Sequence, residues 1–206
     1  LAAKNGLLIR DRAAFERARD LNAVVFDKTG TLTEGRFGVS DIVMLDGGDA
    51  AVALRMAASV ESQSQHPIAQ GIVADANARG IDFPAPEGLH SITGAGVTAR
   101  VDGEDVAIVS PGHLRRQNTP VTDPRLAALE EAGKTVVVIV RGGKPQALFA
   151  LADIVRSESR DVVARLKARG VQSIMMTGDA EGVARSVATE LGLDEYFSQV
   201  LADQKA

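Results

Sequence analysis

The chain of 206 residues has a net charge of −4 and a sequence pI of about 5.4, which disfavours a nucleic-acid partner because such partners select basic surfaces. Apolar residues make up 45% of the sequence, but no apolar run approaches the ~18 residues that cross a bilayer, and the first residues lack the apolar core of a signal peptide. Cysteine is absent and the three histidines lie far apart, which excludes disulfides and thiolate metal sites and disfavours a zinc cluster.

The N-terminal part of the sequence predicts a helix followed by a buried strand. Residues 11–21 have helical spacing, with Phe15 and Ala18 on one face. The apolar run Ala23–Phe26 then predicts a strand that ends at Asp27. Ligands bind at the carboxyl ends of strands in open α/β sheets, so Asp27 is a candidate functional residue.

The middle of the sequence, from about residue 45 to 148, predicts an antiparallel sheet flanked by helices. Alternating apolar residues indicate two hairpins, one turning at Asp102-Gly103 and the other at 141–144. The prolines and glycine within 81–89 predict a loop. Helices are predicted over Ala50–Val60, Pro67–Arg79 and Arg125–Ala132.

The pattern changes after Asp153 to that of an α/β domain with a parallel sheet. The predicted elements are a helix over Ser157–Ala168, with Val162, Val163 and Leu166 directed inward, a strand over Val171–Met176, and a helix over Ala180–Leu191. We therefore expect one α/β domain, formed by residues 1–44 and 149–206, with an α+β domain inserted at 45–148.

Asp27 begins a short polar segment suited to phosphate chemistry. An aspartate is ionised at neutral pH and can act as a covalent nucleophile, while Mg²⁺ offsets its repulsion of an incoming phosphate. Backbone N–H groups near Gly30 and the hydroxyls of Thr29 and Thr31 can hold the remaining oxygens. Taken alone, Asp-x-Thr-Gly is more often a polar turn that follows a strand.

Residues 27–33 read DKTGTLT and resemble the phosphorylation signature of the P-type ATPases. The resemblance implies a haloacid-dehalogenase-like, Rossmann-type phosphorylation domain in which ATP phosphorylates Asp27. It also implies that Mg²⁺ is bound by the carboxylate of Asp27 and the backbone carbonyl of Thr29. Asp153 and Arg156 resemble the D-x-x-R segment of the family, although a surface ion pair would account for them equally well.

Two further segments resemble parts of the same phosphorylation site. Residues 177–179 read TGD, which implies that Thr177 binds the transferring phosphoryl group and that Asp179 orders the nucleotide side of the site. Taken alone, TGD is more typical of a helix cap. Lys205 resembles the lysine that neutralises the phosphoryl group. The sequence departs from the family pattern at Ala180, where asparagine is usual, and at Ala202, where proline is usual.

The inserted domain resembles the nucleotide-binding domain of the heavy-metal P-type ATPases. Residues 64–67 read SQHP, with Glu61 five residues before His66, and residues 94–96 read GAG. The resemblance implies that His66 orients the adenine, Glu61 accepts from its amino group, and Gly94 and Gly96 let the backbone close on the nucleotide. Gln65 replaces the usual glutamate. Together with residues 5–10 (NGLLIR) and 33–37 (TEGRF), it looks most like the copper-exporting branch.

The sequence thus predicts the ATP-binding, autophosphorylating portion of a heavy-metal (copper) P-type ATPase at the cytoplasmic face of a membrane. Its expected partners are ATP, with Mg²⁺, and the transmembrane and actuator domains of the same polypeptide, but no nucleic acid. We expect the acidic GDGxND loop of the family to lie beyond Ala206, so that the phosphorylation domain is incomplete at its C-terminus. Nucleotide binding should then survive, while phosphorylation is weak or absent.

Two other functions are compatible with the sequence. One is a soluble phosphatase of the same superfold, although such enzymes carry an acid–base aspartate two residues after the nucleophile, where this chain has Thr29. The other is a nucleotide-binding module without catalysis of its own, for which Glu61, His66, Gly94 and Gly96 would suffice.

Overall fold

The computed structural model describes residues 21–200, which form two β-sheets with helices packed against them. The predicted helix over 11–21 and the candidate Lys205 therefore lie outside the described residues, apart from Leu21 itself. The strands are β1 (Ala23–Asp27), β2 (Thr33–Met44), β3 (Glu87–Ile92), β4 (Gly96–Val101), β5 (Glu104–Val109), β6 (Thr135–Arg141), β7 (Lys144–Val155), β8 (Gln172–Met176) and β9 (Glu195–Phe197). The helices are α1 (Ala50–Glu61), α2 (Pro67–Ala78), α3 (Pro111–Arg116), α4 (Pro124–Glu131), α5 (Ser157–Lys167) and α6 (Glu181–Leu191).

The smaller sheet is parallel and has the strand order β1-β8-β9. Its core contains Leu32, Met175, Ala184 and Leu191, so α6 and the loop after β1 both pack on it. The helix–strand–helix pattern predicted after Asp153 is confirmed, as is the strand that ends at Asp27. This sheet places the ends of β1 and β8 side by side.

The larger sheet is antiparallel, with the order β2-β7-β6-β5-β4-β3, as expected for the inserted α+β domain. Both predicted hairpins are present, and their turn residues all have positive φ: Asp102 (53°), Gly103 (80°), Gly142 (55°) and Gly143 (76°). Two successive residues at positive φ form the type I′ turn that matches the twist of paired strands. The turn residues thus set the register of both hairpins.

Strand β6 explains why residues 136–140 read as one continuous apolar run. Successive side chains of a strand point to opposite faces of the sheet. Val137 and Ile139 join the core beneath α1 and α2, whereas Val136 and Val138 join a second core beneath α3 and α4. Because both faces of β6 are covered, the polar half of the usual alternation is missing.

Two expectations about local structure were wrong. The predicted loop 81–89 ends early, since β3 begins at Glu87; Gly88, at φ 59°, forms an irregularity in the register with β4 that keeps this segment in the sheet. Val162 is 41% exposed, whereas its neighbour Val163 is 2% exposed. Adjacent residues of a helix lie about 100° apart, so only one of the two can face the sheet.

Strands β2 and β7 form a long ribbon that connects the two sheets. They are paired from Thr33↔Val155, next to the loop after β1, to Met44↔Ala147 inside the antiparallel sheet. The ribbon therefore contains residues from both sides of the expected boundaries at 44 and 148. The division into domains at these boundaries remains a proposal.

The loop between α4 and β6 packs directly on the first turn of α6 through two glycines. A Cβ atom on Gly182 would lie 2.3 Å from the carbonyl oxygen of Glu131. A Cβ atom on Gly133, which has φ 74°, would lie 2.4 Å from Cγ2 and 2.5 Å from the backbone N of Val183. Neither position has room for a side chain, so the close approach of the antiparallel sheet to α6 depends on these glycines.

We expect Gly182→Ala to lower the free energy of unfolding by about 2 kcal/mol. The alanine gains about 1 kcal/mol in helix propensity, but a clash with backbone costs about 3 kcal/mol, the upper end of the overpacking range. Thermal melting and hydrogen exchange at 131–134 and 181–184 measure the effect.

Gly112 provides a matched control, because it is also the second residue of its helix but has no neighbour closer than 3.6 Å to an added Cβ. Gly112→Ala should therefore stabilise by about 0.5–1 kcal/mol. Equal stabilisation by Gly182→Ala would show that the loop and α6 are not in contact in solution.

Candidate functional site

Asp27 and Thr177 lie at the carboxyl ends of neighbouring parallel strands. Asp27 pairs with Met176 in the register of β1 and β8, and Thr177 follows Met176 directly. The Asp27 residue is exposed, whereas Thr177 is 3% exposed. The structure therefore places the candidate nucleophile at an open sheet edge beside the TGD turn, and not in the packed core.

The loop after Asp27 is held by hydrogen bonds that its backbone carbonyl groups accept. Residues 28–32 form one wide turn, closed by a hydrogen bond from Thr33 N–H to the Lys28 carbonyl. Arg156 donates from Nε to the Thr33 carbonyl (3.0 Å) and from a terminal nitrogen to the Gly30 carbonyl (3.4 Å). Arg156 thus clamps the loop, a role that differs from the surface ion pair with Asp153 that the sequence left open.

Lys28 is a residue that the sequence analysis did not select. Its side chain is 6% exposed, and its Nζ lies 2.6 Å from Oδ2 of Asp179 and 3.6 Å from Oδ2 of Asp153. Asp153 is also bonded from the start of β2: Thr33 Oγ1 lies 2.6 Å from its Oδ2, and Gly35 N–H donates to its Oδ1 at 3.0 Å. One buried ammonium group therefore joins the loop, the end of β7 and the TGD turn.

The TGD turn is hydrogen-bonded both internally and to the end of β9. Thr177 Oγ1 donates to Asp179 Oδ2 at 2.8 Å, and Thr177 N–H donates to the carbonyl of Phe197 at 2.9 Å. The helix-cap interpretation of Asp179 is wrong, because the N-cap of α6 is Ala180 and the Asp179 carboxylate turns to Lys28 instead. Ala180 makes no side-chain capping bond.

A second site lies in the antiparallel sheet, at a cavity of about 500 Å³. Its lining brings together the four residues selected in the inserted domain, Glu61, His66, Gly94 and Gly96. This volume is within the range of about 300–1,000 Å³ that is usual for small-molecule sites. The lining also includes the apolar residues Ile68, Ile92, Val97, Ile108, Val136 and Val137.

His66 is the N-cap residue of α2 and also lines this cavity. Its Nδ1 accepts a hydrogen bond from Ile68 N–H at 3.2 Å, and Pro67 occupies the first helical position, where a missing N–H has no cost. In a neutral imidazole with Nδ1 as acceptor, the proton is on Nε2. The cap therefore leaves His66 Nε2 as a hydrogen-bond donor.

The two glycines of residues 94–96 have different physical roles. A Cβ atom on Gly96 would lie 1.9 Å from the carbonyl oxygen of Ile108, so β4 can approach β5 here only without a side chain. Gly94, at φ 65°, has nothing within 4 Å of an added Cβ. Gly96 is thus required by the sheet, while Gly94 leaves open space at the cavity.

Glu61, the last residue of α1, is 7% exposed. Burial raises the pKa of its carboxyl group from 4.5 to about 6, although a hydrogen bond from Ser64 lowers the pKa in part. A buried carboxylate with little compensation is costly for the fold. It is, however, well placed to accept a hydrogen bond from a ligand in the cavity.

The donor atoms at the end of β1 suit a hard cation. The Asp27 carboxylate and the Thr29 carbonyl are oxygen ligands, and Mg²⁺ typically takes one or two carboxylates and completes its shell with water and phosphate oxygens. Among residues 21–200, no cluster of three or more His, Cys, Asp or Glu side chains is arranged to bind a metal ion.

We expect the stability difference between Glu61→Gln and the wild type to depend on pH. Because the pKa of Glu61 is about 6 when folded and 4.5 when unfolded, the cost of ionising it is absent below about pH 4.5 and fully present above about pH 6. At pH 7 the variant should be more stable by about 2 kcal/mol, from 1.36 kcal/mol per pKa unit.

Denaturant unfolding at several pH values measures this difference for Glu61. Glu87→Gln, which removes an exposed carboxylate from β3, serves as the control and should not reproduce the slope. A difference for Glu61→Gln that stays flat from pH 4 to pH 7 would contradict the assigned burial.

We expect Lys28→Met to destabilise the fold by about 3 kcal/mol, the lower end of the range for breaking a buried ion pair, since Asp179 is 36% exposed. Adding Asp179→Asn should recover part of the loss because the two charges are coupled. Lys144→Met, at the exposed hairpin turn, is the control. Equal effects of the two lysine substitutions on the melting temperature would disprove the network.

None of the helices within residues 21–200 combines the length and the hydropathy of a membrane span.

Similarity to known proteins identifies the family of this chain. The model of haloacid dehalogenase-like hydrolases matches residues 21–205. Copper-exporting P-type ATPase B of Archaeoglobus fulgidus is 51% identical over 206 residues, which cover 100% of this chain and 30% of that protein. The zinc/cadmium/lead-transporting P-type ATPase of Escherichia coli is 36% identical over 204 residues, which cover 99% of this chain and 27% of that protein.

Solved structures agree with this result. A crystal structure of a zinc-transporting PIB-type ATPase has a TM-score of 0.85 and 35% identity, covering 99% of this chain and 33% of that one. The chain thus spans about a third of the length of the proteins it matches. The predicted resemblance to P-type ATPases of the heavy-metal type is confirmed, and the chain belongs to the haloacid dehalogenase-like hydrolase family.

Proposed function

We propose that this chain is the ATP-binding and autophosphorylating part of a heavy-metal P-type ATPase, with Asp27 as the phosphate acceptor. The main support is the exposed Asp27 carboxylate at the end of β1, next to Thr177 of the neighbouring strand. A separate cavity lined by Glu61, His66 and Gly94 supplies a site for the nucleotide base.

The adenine would lie in the 500 Å³ cavity, between apolar walls and two polar groups. His66 Nε2–H would donate to a ring nitrogen, and the ionised Glu61 would accept from the exocyclic amino group. Gly94 leaves room for the nucleotide to approach the backbone. An ionised Glu61 is needed for this contact, so the affinity for ATP should fall as the pH drops below about 6.

In the transfer step an oxygen of the Asp27 carboxylate attacks the γ-phosphorus in line, and the bond to the β,γ-bridging oxygen breaks, releasing ADP. Thr177 and Lys205 would offset the charge on the phosphoryl oxygens, and Asp179 would order the nucleotide side of the site. Mg²⁺, held by the Asp27 carboxylate and the Thr29 carbonyl, would supply charge shielding between the two anions. Water then hydrolyses the aspartyl phosphate.

The ribbon of β2 and β7 is where we place the hinge for nucleotide delivery, near residues 38–45 and 148–153. The pairing of β2 with β7 is irregular between Val39 and Asp41. Such a local break permits bending without loss of the whole ladder. Domain closure would drive transmembrane and actuator domains of the same polypeptide at the cytoplasmic face of a membrane.

Copper is our proposed cargo, because the 51% identical relative is named as a copper exporter. A relative at 36% identity is named for zinc, cadmium and lead, so catalytic portions of this kind serve different ions. The soluble-phosphatase alternative is less well supported, since Thr29 cannot replace an acid–base carboxylate and the antiparallel sheet carries a nucleotide-sized cavity.

We expect His66→Ala to weaken ATP binding by about tenfold, the effect of losing one hydrogen bond to a ligand together with the ring contact. Isothermal titration calorimetry of the chain with ATP and Mg²⁺ measures this change. His90→Ala, an exposed histidine of β3 outside the cavity, is the matched control and should bind normally. Unchanged affinity in His66→Ala would rule out the assigned adenine site.

Labelling with γ-phosphate-labelled ATP tests the acceptor in the same set of proteins. Asp27→Asn should bind ATP but form no acid-stable phosphoprotein, because an amide is not a nucleophile for this step. Binding without labelling in the wild type would favour the nucleotide-binding module. Label that persists in Asp27→Asn would place the acceptor elsewhere.

A further inference from the structure

We infer that Thr135, the first residue of β6, positions the phosphate chain of the nucleotide between the adenine cavity and the Asp27 loop. The inference rests on the proposed function and adds a binding residue to it. It concerns how a nucleotide seated by His66 would reach a carboxylate on the other sheet.

Two cavities have Thr135 in their linings. The first is the 500 Å³ cavity with Glu61 and His66 in its wall. The second, of about 220 Å³, lies between the two sheets and is lined by Lys28, Asp153 and Asp179 among others. Thr135 is the residue that lines both. A ligand that extends from the base site toward the loop after Asp27 therefore passes this side chain.

The side chain of Thr135 is suited to contact such a ligand. The residue is half-buried, and within the part of the chain that the structure describes its hydroxyl makes no hydrogen bond. A threonine hydroxyl offers one donor and two acceptor sites. A phosphate oxygen at the junction would accept from it without displacing an existing contact.

The segment before Thr135 is fixed against both sheets, so the hydroxyl is held in place. Gly133 packs on Val183 at the start of α6, and Lys134 N–H donates to the Leu129 carbonyl at 3.1 Å. The Lys134 ammonium lies 2.5 Å from Asp41 Oδ2 on β2. A polar group held this way loses little entropy when it binds a ligand.

The charges around the second cavity are compatible with a polyphosphate and its counter-cation. Two lysines, Lys28 and Lys134, face two aspartates, Asp153 and Asp179, in its lining. Lys28 is already paired with both aspartates, which reduces their repulsion of an anion. The positive and negative charges near the phosphate chain would thus nearly cancel. On such a surface the neutral hydroxyl of Thr135 can provide a directional hydrogen bond.

Calorimetry with two probes, adenosine and ATP with Mg²⁺, tests the inference on the full 206-residue chain. Thr135→Val keeps the shape but removes the hydroxyl; we expect about tenfold weaker ATP binding, the effect of one hydrogen bond to a charged group, with unchanged adenosine binding. Thr135→Ser should restore the ATP affinity. Thr189→Val, at an exposed position of α6, is the matched control.

The outcomes of these titrations separate this inference from the proposed function. Equal weakening of adenosine and ATP in Thr135→Val, or no weakening at all, would overturn the role of Thr135 even if His66→Ala abolishes binding. Weak ATP binding in Thr135→Val combined with normal binding in His66→Ala would support the phosphate contact and reject the adenine site. Failure of Thr135→Ser to recover affinity would also count against the hydroxyl.

Discussion

The ion pairs of the Lys28 ammonium group are the interactions on which the arrangement of the candidate phosphorylation site depends. This group is buried and pairs with Asp153 and Asp179, which come from segments more than a hundred residues away. Burying a charge is unfavourable unless its partners are close and well bonded, so the loop, the end of β7 and the TGD turn have little freedom to separate. Asp27, the residue before Lys28, is thereby held at the open end of β1.

The same network ties the parallel sheet to the antiparallel one. The Asp153 carboxylate forms an ion pair with Lys28. It also accepts hydrogen bonds from Thr33 and Gly35 at the start of β2. Since β2 pairs with β7 along most of its length, one ribbon connects the sheet that carries the Glu61 and His66 cavity to the loop after Asp27. The close packing of Gly133 on α6 adds a second connection and leads directly into Thr135.

The candidate nucleotide site contains a residue, Glu61, that lowers the stability of the fold. A carboxylate that burial forces to a pKa of about 6 would be replaced by glutamine if stability alone mattered. Gly96 is different, because Ile108 leaves no room for any side chain and the glycine serves sheet and site together. The cavity thus combines Glu61, which lowers the stability of the fold, with Gly96, which the sheet requires.

Local patterns in the sequence were enough to predict most helices and strands, both hairpins, and Asp27 at the end of a strand. Period-two alternation, positive-φ turn residues and DKTGTLT are properties of neighbouring residues, so they can be recognised before folding is known. The partners of Lys28, the exposed side of Val162 and the junction at Thr135 were decided only by tertiary structure. Each depends on which distant segments meet, and a pattern of neighbouring residues carries no information about that.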